Sequence, residues 1–344
     1  MYGSPVDEAT NRTWPARRAT MASRAVSSRR ILSLDTRRAA RMSDDDRAIP
    51  GAPPDGTSRT IPRRAFVASI GAAAALPATL SSVAQAGTAT ERKIALQLYT
   101  VRDAIAKDLE GTLKRVADLG FRHVETAFWP QGISHEQAAG FLADAGLTAV
   151  ASHIEITGDY RRNLVAISKA YRCPNMIWHG WPEDARYGTV EGTRELIRTY
   201  NEVAAFCRDN GMAFGLHNHW WEYMRGPGGK LVFEHWLEGL APSVFLEVDT
   251  YWVKVAGNDP AAIIRRLGKR VRFLHIKDGP AKWHENLAAD NPDPMSAVGK
   301  GAQDMPSILA AARATDPWLV VEMDKVAGDV FEALAESLAY LKAH

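Results

Sequence analysis

Cysteine is scarce in this chain of 344 residues: Cys173 and Cys207 are the only two. Neither stands in a spacing typical of a metal or redox motif, and two are too few for a disulfide-built scaffold. They read as free, partly buried thiols rather than a bridge. Long hydrophobic runs are also lacking. The alanine-rich stretch from Ala65 to Leu80 is interrupted by Pro77 and is shorter than the roughly 20 residues of a membrane helix. No glycine-rich phosphate loop follows the first apolar segment of the second part of the chain, which argues against a dinucleotide-binding sheet. Lysine is missing from residues 1–90, which carry thirteen Arg and seven acidic residues, a net +6. The remainder has 29 basic and 33 acidic residues, a net −4. Basicity therefore belongs to the tail, and an acidic folded part offers no footprint for nucleic acid. What is present, 46% hydrophobic and 24% charged residues, suits a soluble globular protein long enough for one large α/β barrel or two ordinary domains.

Residues 1–60 are rich in Arg, Ser, Ala, Asp and Pro with little apolar periodicity, a composition that favours a disordered extension. Residues 61–86 run from paired Arg63 and Arg64 through Phe66 and the apolar stretch to Val83-Ala84-Gln85-Ala86. Positive, apolar, then small is the order of a secretory signal, and paired arginines before Phe66 resemble its twin-arginine form. Cleavage after Ala86 would leave a chain starting at Gly87. Met42 is an alternative start. The expected location is periplasmic or secreted, with no stable membrane anchor.

From residue 93 onward short apolar segments alternate with segments of helical spacing. The expected strands are 94–99, 123–127, 147–154, 175–179, 212–218, 244–249, 271–277 and 318–322. The expected helices are 104–119, 136–145, 161–171, 190–210, 231–240, 260–267, 304–313 and 330–342, several of them stopped by glycine. Eight strand–helix units in about 250 residues are the signature of a (β/α)₈ TIM barrel, a single domain over residues 93–344. An open doubly wound sheet is the runner-up. The connection 279–301, rich in Pro, Asn, Asp and Gly, is expected to lie over the barrel mouth.

Active sites of such barrels form at the carboxyl ends of the strands. The chain places chemistry there repeatedly. Strand two offers Glu125, strand three His153 and Glu155, and strand four His179. Strand five reads FGLHNHWWE, with His217 and His219 on one face by alternation and Glu222 beyond. Strand six ends in Asp249, strand seven offers His275, Lys277 and Asp278, and strand eight Glu322 and Asp324. Apolar runs that end in histidine or carboxylate are hard to explain as core, because charges are rarely buried unpaired. Their convergence points to one divalent cation held by imidazole and carboxylate. Mixed N/O donors suit Mn, Zn, Co or Fe, and less clearly Mg. Asp249, His275, Glu322 and His217 are the expected ligands. The bland alternative is a solvated ion-pair network.

The segments IALQLYTVRD, FRHVETA, SHI, GLHNHWWEY, FLEVDTYWV with AGNDP, FLHIKDG, VGKGAQD and VVEMD resemble the sugar phosphate isomerase/epimerase family with its xylose isomerase-like barrel. The resemblance covers nearly all of residues 93–342 and is not specific for a substrate. It implies the ligands Asp249, His275 and Glu322. His217 stands where the ketose 3-epimerases carry a glutamate, a departure from their two-carboxylate acid/base pair. In this respect the chain is more like the inosose dehydratase and uncharacterised epimerase branches. Abasic-site endonucleases share the barrel.

The expected chemistry is metal-assisted proton abstraction beside a carbonyl. Glu322 is the first candidate base, with Lys277 and His219 as further catalytic groups. Lys277 either stabilises developing charge or neutralises Glu247, whose strand parity also turns it inward. Glu125, His153, His179, Glu222 and Trp252 are the expected substrate contacts, with Glu125 and Glu222 alternatively orienting the ligands. The expected partner is a free or oxidised small-molecule sugar. The alternatives are a lyase acting on keto-sugars, inososes or keto-glycosides, and a non-catalytic sugar-binding barrel.

Overall fold

The computed structural model describes residues 92–344 except 181–183, 227–228 and 290. The expected disordered extension (1–60) and signal segment (61–86) lie outside the described residues. Eight parallel strands close into a barrel in sequence order. They are β1 Ile94–Gln97, β2 His123–Thr126, β3 Thr148–Ile154, β4 Asn175–Trp178, β5 Ala213–His217, β6 Phe245–Asp249, β7 Val271–Ile276 and β8 Trp318–Val321. Barrel closure rests on β1 pairing with β8, Ile94 opposite Leu319 and Leu96 opposite Val321.

The helices form the outer ring. They are α1 Arg102–Ile105, α2 Leu109–Asp118, α3 His135–Asp144, α4 Tyr160–Tyr171, α5 Val190–Asp209, α6 Val232–Gly239, α7 Thr250–Val255, α8 Pro260–Leu267, α9 Met305–Ala312 and α10 Val330–Ala343. Their starts follow from the sequence. Ser134 and Gln137 form a reciprocal capping box at α3, and Asp259 caps α8 with Pro260 in its first turn. Each apolar face closes on the strands, as Leu113 and Val116 of α2 do, both fully buried. Burying one such side chain contributes about 1.5–3 kcal/mol.

Two details differ from the sequence expectation. The helix expected over 104–119 is two, because the Asp108 carboxylate accepts the Gly111 N–H at 2.9 Å and starts a new helix. A further helix, α7, follows β6 directly, capped by Asp249 through the Trp252 N–H at 3.0 Å. Among the described residues no helix is long and apolar enough to cross a membrane.

The barrel interior is layered, as side-chain alternation requires. Ala95, Ala151, Ile177, Phe245, Phe273 and Val320 pack together inside it. Two residues further along each strand the layer turns polar. Odd strands supply Gln97, His153, His217 and His275, and even strands Glu125, His179, Glu247 and Glu322. From β5 to β8 imidazoles thus interleave with carboxylates, while β3, β4 and β5 bring three imidazoles side by side.

Candidate active site

At the carboxyl end of the barrel Asp249, His275 and Glu322 each offer a ligand atom, all within 4.8 Å of one another. Asp249 Oδ2 is 3.9 Å from His275 Nδ1 and 3.9 Å from His217 Nε2. His275 Nδ1 is 2.6 Å from Glu322 Oε2. All four side chains are buried. Asp249 is aimed by its neighbours. Its Oδ1 caps α7, and its backbone N–H donates to Asn218 Oδ1 at 3.0 Å. Its Oδ2 has no aligned hydrogen bond, and neither has His275 Nδ1.

Lys277 lies among the acids. Its Nζ is 2.8 Å from Asp249 Oδ2, 2.7 Å from Glu322 Oε2 and 2.7 Å from Asp324 Oδ2. It therefore does not neutralise Glu247, the alternative that strand parity allowed. Burial alone would lower the lysine, but Asp249, Asp324 and Glu322 outweigh it and hold the ammonium charged. Burial pushes Asp249 up to about 6 against the pull of Lys277 and His275. Glu322 is held well below the carboxylate range, because Lys277 and His275 outweigh its burial.

Beside and beneath these ligands lie the other polar residues of that layer. Glu125 is fully buried and accepts from Gln97 Nε2 at 2.5 Å. Its Oε1 is 3.0 Å from His153 Nε2 and 2.8 Å from His275 Nε2. His153 also lies 2.8 Å from Glu247 Oε2. Burial would lower His153, yet Glu125 and Glu247 raise it to about 9. His217 is different: burial, then the charge of His275, holds it far below the usual range and therefore neutral. A neutral imidazole is the form that ligates metal.

The remaining expected residues surround this centre. His219 is likewise held neutral, by burial first and then Lys277; its ring stacks on Trp221 at 4.3 Å and lies 4.9 Å from His217. Glu222 is fully buried; its Oε2 accepts the His219 N–H at 2.8 Å, and burial lifts its carboxyl to about 8. His179 stacks on His153 at 5.7 Å, and burial lowers it to about 3. Trp252 is 1% exposed, with Lys277 Nζ 5.5 Å from its ring centroid and Trp220 packed at 4.8 Å. It thus backs the lysine from within the core. Glu125 likewise lies under the imidazoles. Among the described residues the exposed large aromatic is Phe128, 53% exposed and edge-on to His179 at 5.6 Å.

Glu247 is the residue that strand reading set aside. It lies within reach of His153, His217 and His275, a second group of ligand atoms within 4.8 Å. Its position two residues before Asp249, on the same strand face, was the available signal.

Three carboxylates, Asp249, Glu322 and Asp324, thus surround one lysine, and two more, Glu125 and Glu247, lie among the imidazoles. A buried excess of acid needs further positive charge. Protons on His153 and His275 supply it in the metal-free state, and a divalent cation among Asp249, His275, Glu322 and His217 satisfies it equally. Hard and borderline donors gathered around one point fit such an ion.

The chain belongs to the xylose isomerase-like TIM barrel family, whose profile matches residues 113–344. No protein of curated function matches it in sequence. Among solved structures it is similar to a sugar phosphate isomerase/epimerase from Parabacteroides distasonis ATCC 8503, at 23% identity and TM-score 0.61, over 78% of this chain and 98% of that one. An L-ribulose 3-epimerase matches at 16% identity and TM-score 0.57, over 73% and 94%. A family 2 AP endonuclease from Brucella melitensis matches at 16% identity and TM-score 0.54, over 72% and 99%. These likenesses establish the fold.

Proposed function

We propose that the protein is a divalent-metal-dependent isomerase or epimerase of a small keto-sugar or related polyol, working by proton abstraction beside a carbonyl. The observation that carries this is the convergence of buried Asp249, His275 and Glu322, each offering a ligand atom within 4.8 Å of the others. Names of the structural neighbours agree in kind, since two of the three are isomerases or epimerases.

Asp249, His275 and Glu322 would hold the ion, with His217 as the fourth group. When bound, the ion supplies Lewis acidity to a carbonyl oxygen and compensates developing negative charge. Glu322, kept ionised beside Lys277, takes the proton from the carbon next to the carbonyl. The Lys277 ammonium faces the charge that this step creates. His219, neutral through burial, relays a solvent proton from the side of β5, accepting it on one ring nitrogen as the other gives one up, while Glu322 releases its proton to solvent. Return to the same carbon from the opposite face inverts it; return to the neighbouring carbon moves the carbonyl. Phe128 offers an exposed ring for the apolar face of a sugar. Export through the Arg63–Arg64 segment remains part of the proposal, read by fusion of residues 1–90 to a periplasmic reporter with both arginines changed to lysine.

Exchange is the test. Metal-loaded protein is incubated with a panel of keto-sugars in D₂O, and carbon-bound deuterium is followed by NMR and mass. Exchange with a mass-conserving product, abolished by Glu322→Gln, supports the proposal. Loss of water from the product would move the reaction to the lyase class. No exchange across the panel would contradict it.

A further inference from the structure

Glu247 has no solvent-exposed surface. It stands on β6 one layer below Asp249, so it faces the ligands from beneath and not from the mouth. Its Oε2 is 2.8 Å from His153 Nε2, 3.2 Å from His217 Nδ1 and 3.2 Å from His275 Nε2. Glu125 Oε1 reinforces it, 2.8 Å from His275 Nε2. One carboxylate oxygen therefore meets imidazoles from three alternate strands, β3, β5 and β7.

The nitrogens that it meets are not equivalent. His217 turns Nδ1 down to Glu247, leaving Nε2 at 3.9 Å from Asp249 Oδ2. His275 does the reverse. Its Nε2 faces Glu247 and Glu125, and its Nδ1 faces Glu322 and Asp249. A neutral imidazole has one N–H and one lone pair, and an acceptor beside one nitrogen fixes the proton there. Carboxylates behind ligating histidines set tautomer and ring orientation in this way.

We propose that Glu247, assisted by Glu125, is the positioning residue of the metal centre, holding His217 as the Nδ1–H tautomer and His275 as the Nε2–H tautomer. The ion is then met by Nε2 of His217 and Nδ1 of His275, opposite nitrogens of the two rings. This rests on the metal reading above and adds to it a role for Glu247 and an assignment of each nitrogen. The competing use of the same atoms is a second cation held by His153, His217, Glu247 and His275. His153 Nε2 with Glu247 and His275 Nε2 with Glu125 form hydrogen bonds of 2.8 Å, which favours positioning, while His217 Nδ1 lies 3.2 Å from Glu247 Oε2 without hydrogen-bond alignment.

The experiment compares full-length wild type with Glu247→Gln, using zinc as the probe. Calorimetry gives affinity and stoichiometry, and far-UV circular dichroism checks the fold. Positioning predicts that the variant binds zinc about 10- to 100-fold more weakly at unchanged stoichiometry. Nitrogen-15 NMR of histidine in zinc-loaded wild type is the second readout and needs no variant. It is expected to show one zinc-bound imidazole of each tautomer. Unchanged affinity in the variant overturns the role of Glu247 while leaving the metal reading intact. So does a pair of zinc-bound imidazoles of one tautomer, or a second zinc in wild type that Glu247→Gln removes. Wild type that binds no zinc overturns both readings.

Discussion

Consider Gly215→Ala, the addition of one methyl group inside the barrel. Gly215 lies on β5 two residues before His217, on the same inward face. A Cβ there would stand 2.5 Å from both Cδ2 and Cζ of Phe245 and would overlap Cε2. Ordinary carbon contacts begin near 3.5 Å, so the ring would have to retreat by roughly 1 Å. It has little room, since Phe273 packs at 5.6 Å and Ala95, Ala151, Ile177 and Val320 complete the layer. Overpacking of this kind costs about 1–3 kcal/mol. At 2–4 °C per kcal/mol, the melting temperature should fall by about 2–12 °C. Urea unfolding of Gly215→Ala, Phe245→Leu and the double variant closes a cycle. Phe245→Leu removes the clashing ring, so the methyl should be tolerated better in its presence, with a coupling of about 1–3 kcal/mol. Gly215→Ala as stable as wild type, or strictly additive effects, would refute the argument.

Other perturbations test other parts. Glu222 is raised by burial from 4.5 to about 8, so its folded form keeps a proton that the unfolded chain releases. That contribution is complete below pH 4.5 and is lost as pH rises toward 8. Wild type should therefore lose stability relative to Glu222→Gln across this window, and a pH-independent difference in urea midpoints would count against it. Cys173 and Cys207 are free and buried, and burial raises them to about 11 and about 12. A thiol reagent should titrate both only after unfolding; rapid reaction of the native protein would disagree. Lys277→Met should destabilise the metal-free protein by about 3–5 kcal/mol, since it leaves buried carboxylates without their ammonium. Added Mn²⁺ should then raise its melting temperature more than that of wild type, and an equal rise would count against the charge argument.

The alternation of strands and helices made the barrel legible, because parallel strands flanked by helices read as short apolar runs. Strand positions transferred within one or two residues. The helix over 104–119 misled because its apolar spacing runs through Asp108, whose carboxylate ends one helix and caps the next. Short α7 escaped because TYWV reads equally as a strand continuation after β6. At the site, Asp249, His275 and Glu322 were visible as polar ends of apolar runs. His217 joined them by the alternation of strand five, whereas the distances among the four depend on the register of four different strands. Glu247 was visible only as inward parity. Of the two roles left open for Lys277, neutralising Glu247 falls away, because the lysine lies one layer higher and reaches Asp249, Glu322 and Asp324. Trp252 looked like a substrate contact by type, and tertiary burial places it behind the site, while Glu125, read either as a substrate contact or as orienting the ligands, lies under the imidazoles.

Metal content tests the central claim most directly. Purified chain, stripped and reconstituted with Mn²⁺, Zn²⁺ or Co²⁺, is measured beside Asp249→Asn/Glu322→Gln, with circular dichroism to confirm that both are folded. The account predicts about one tightly held divalent ion per wild-type chain and none in the variant, as mixed carboxylate and imidazole ligation requires. A folded wild type that holds no ion after reconstitution, or a variant that holds as much as wild type, would contradict it.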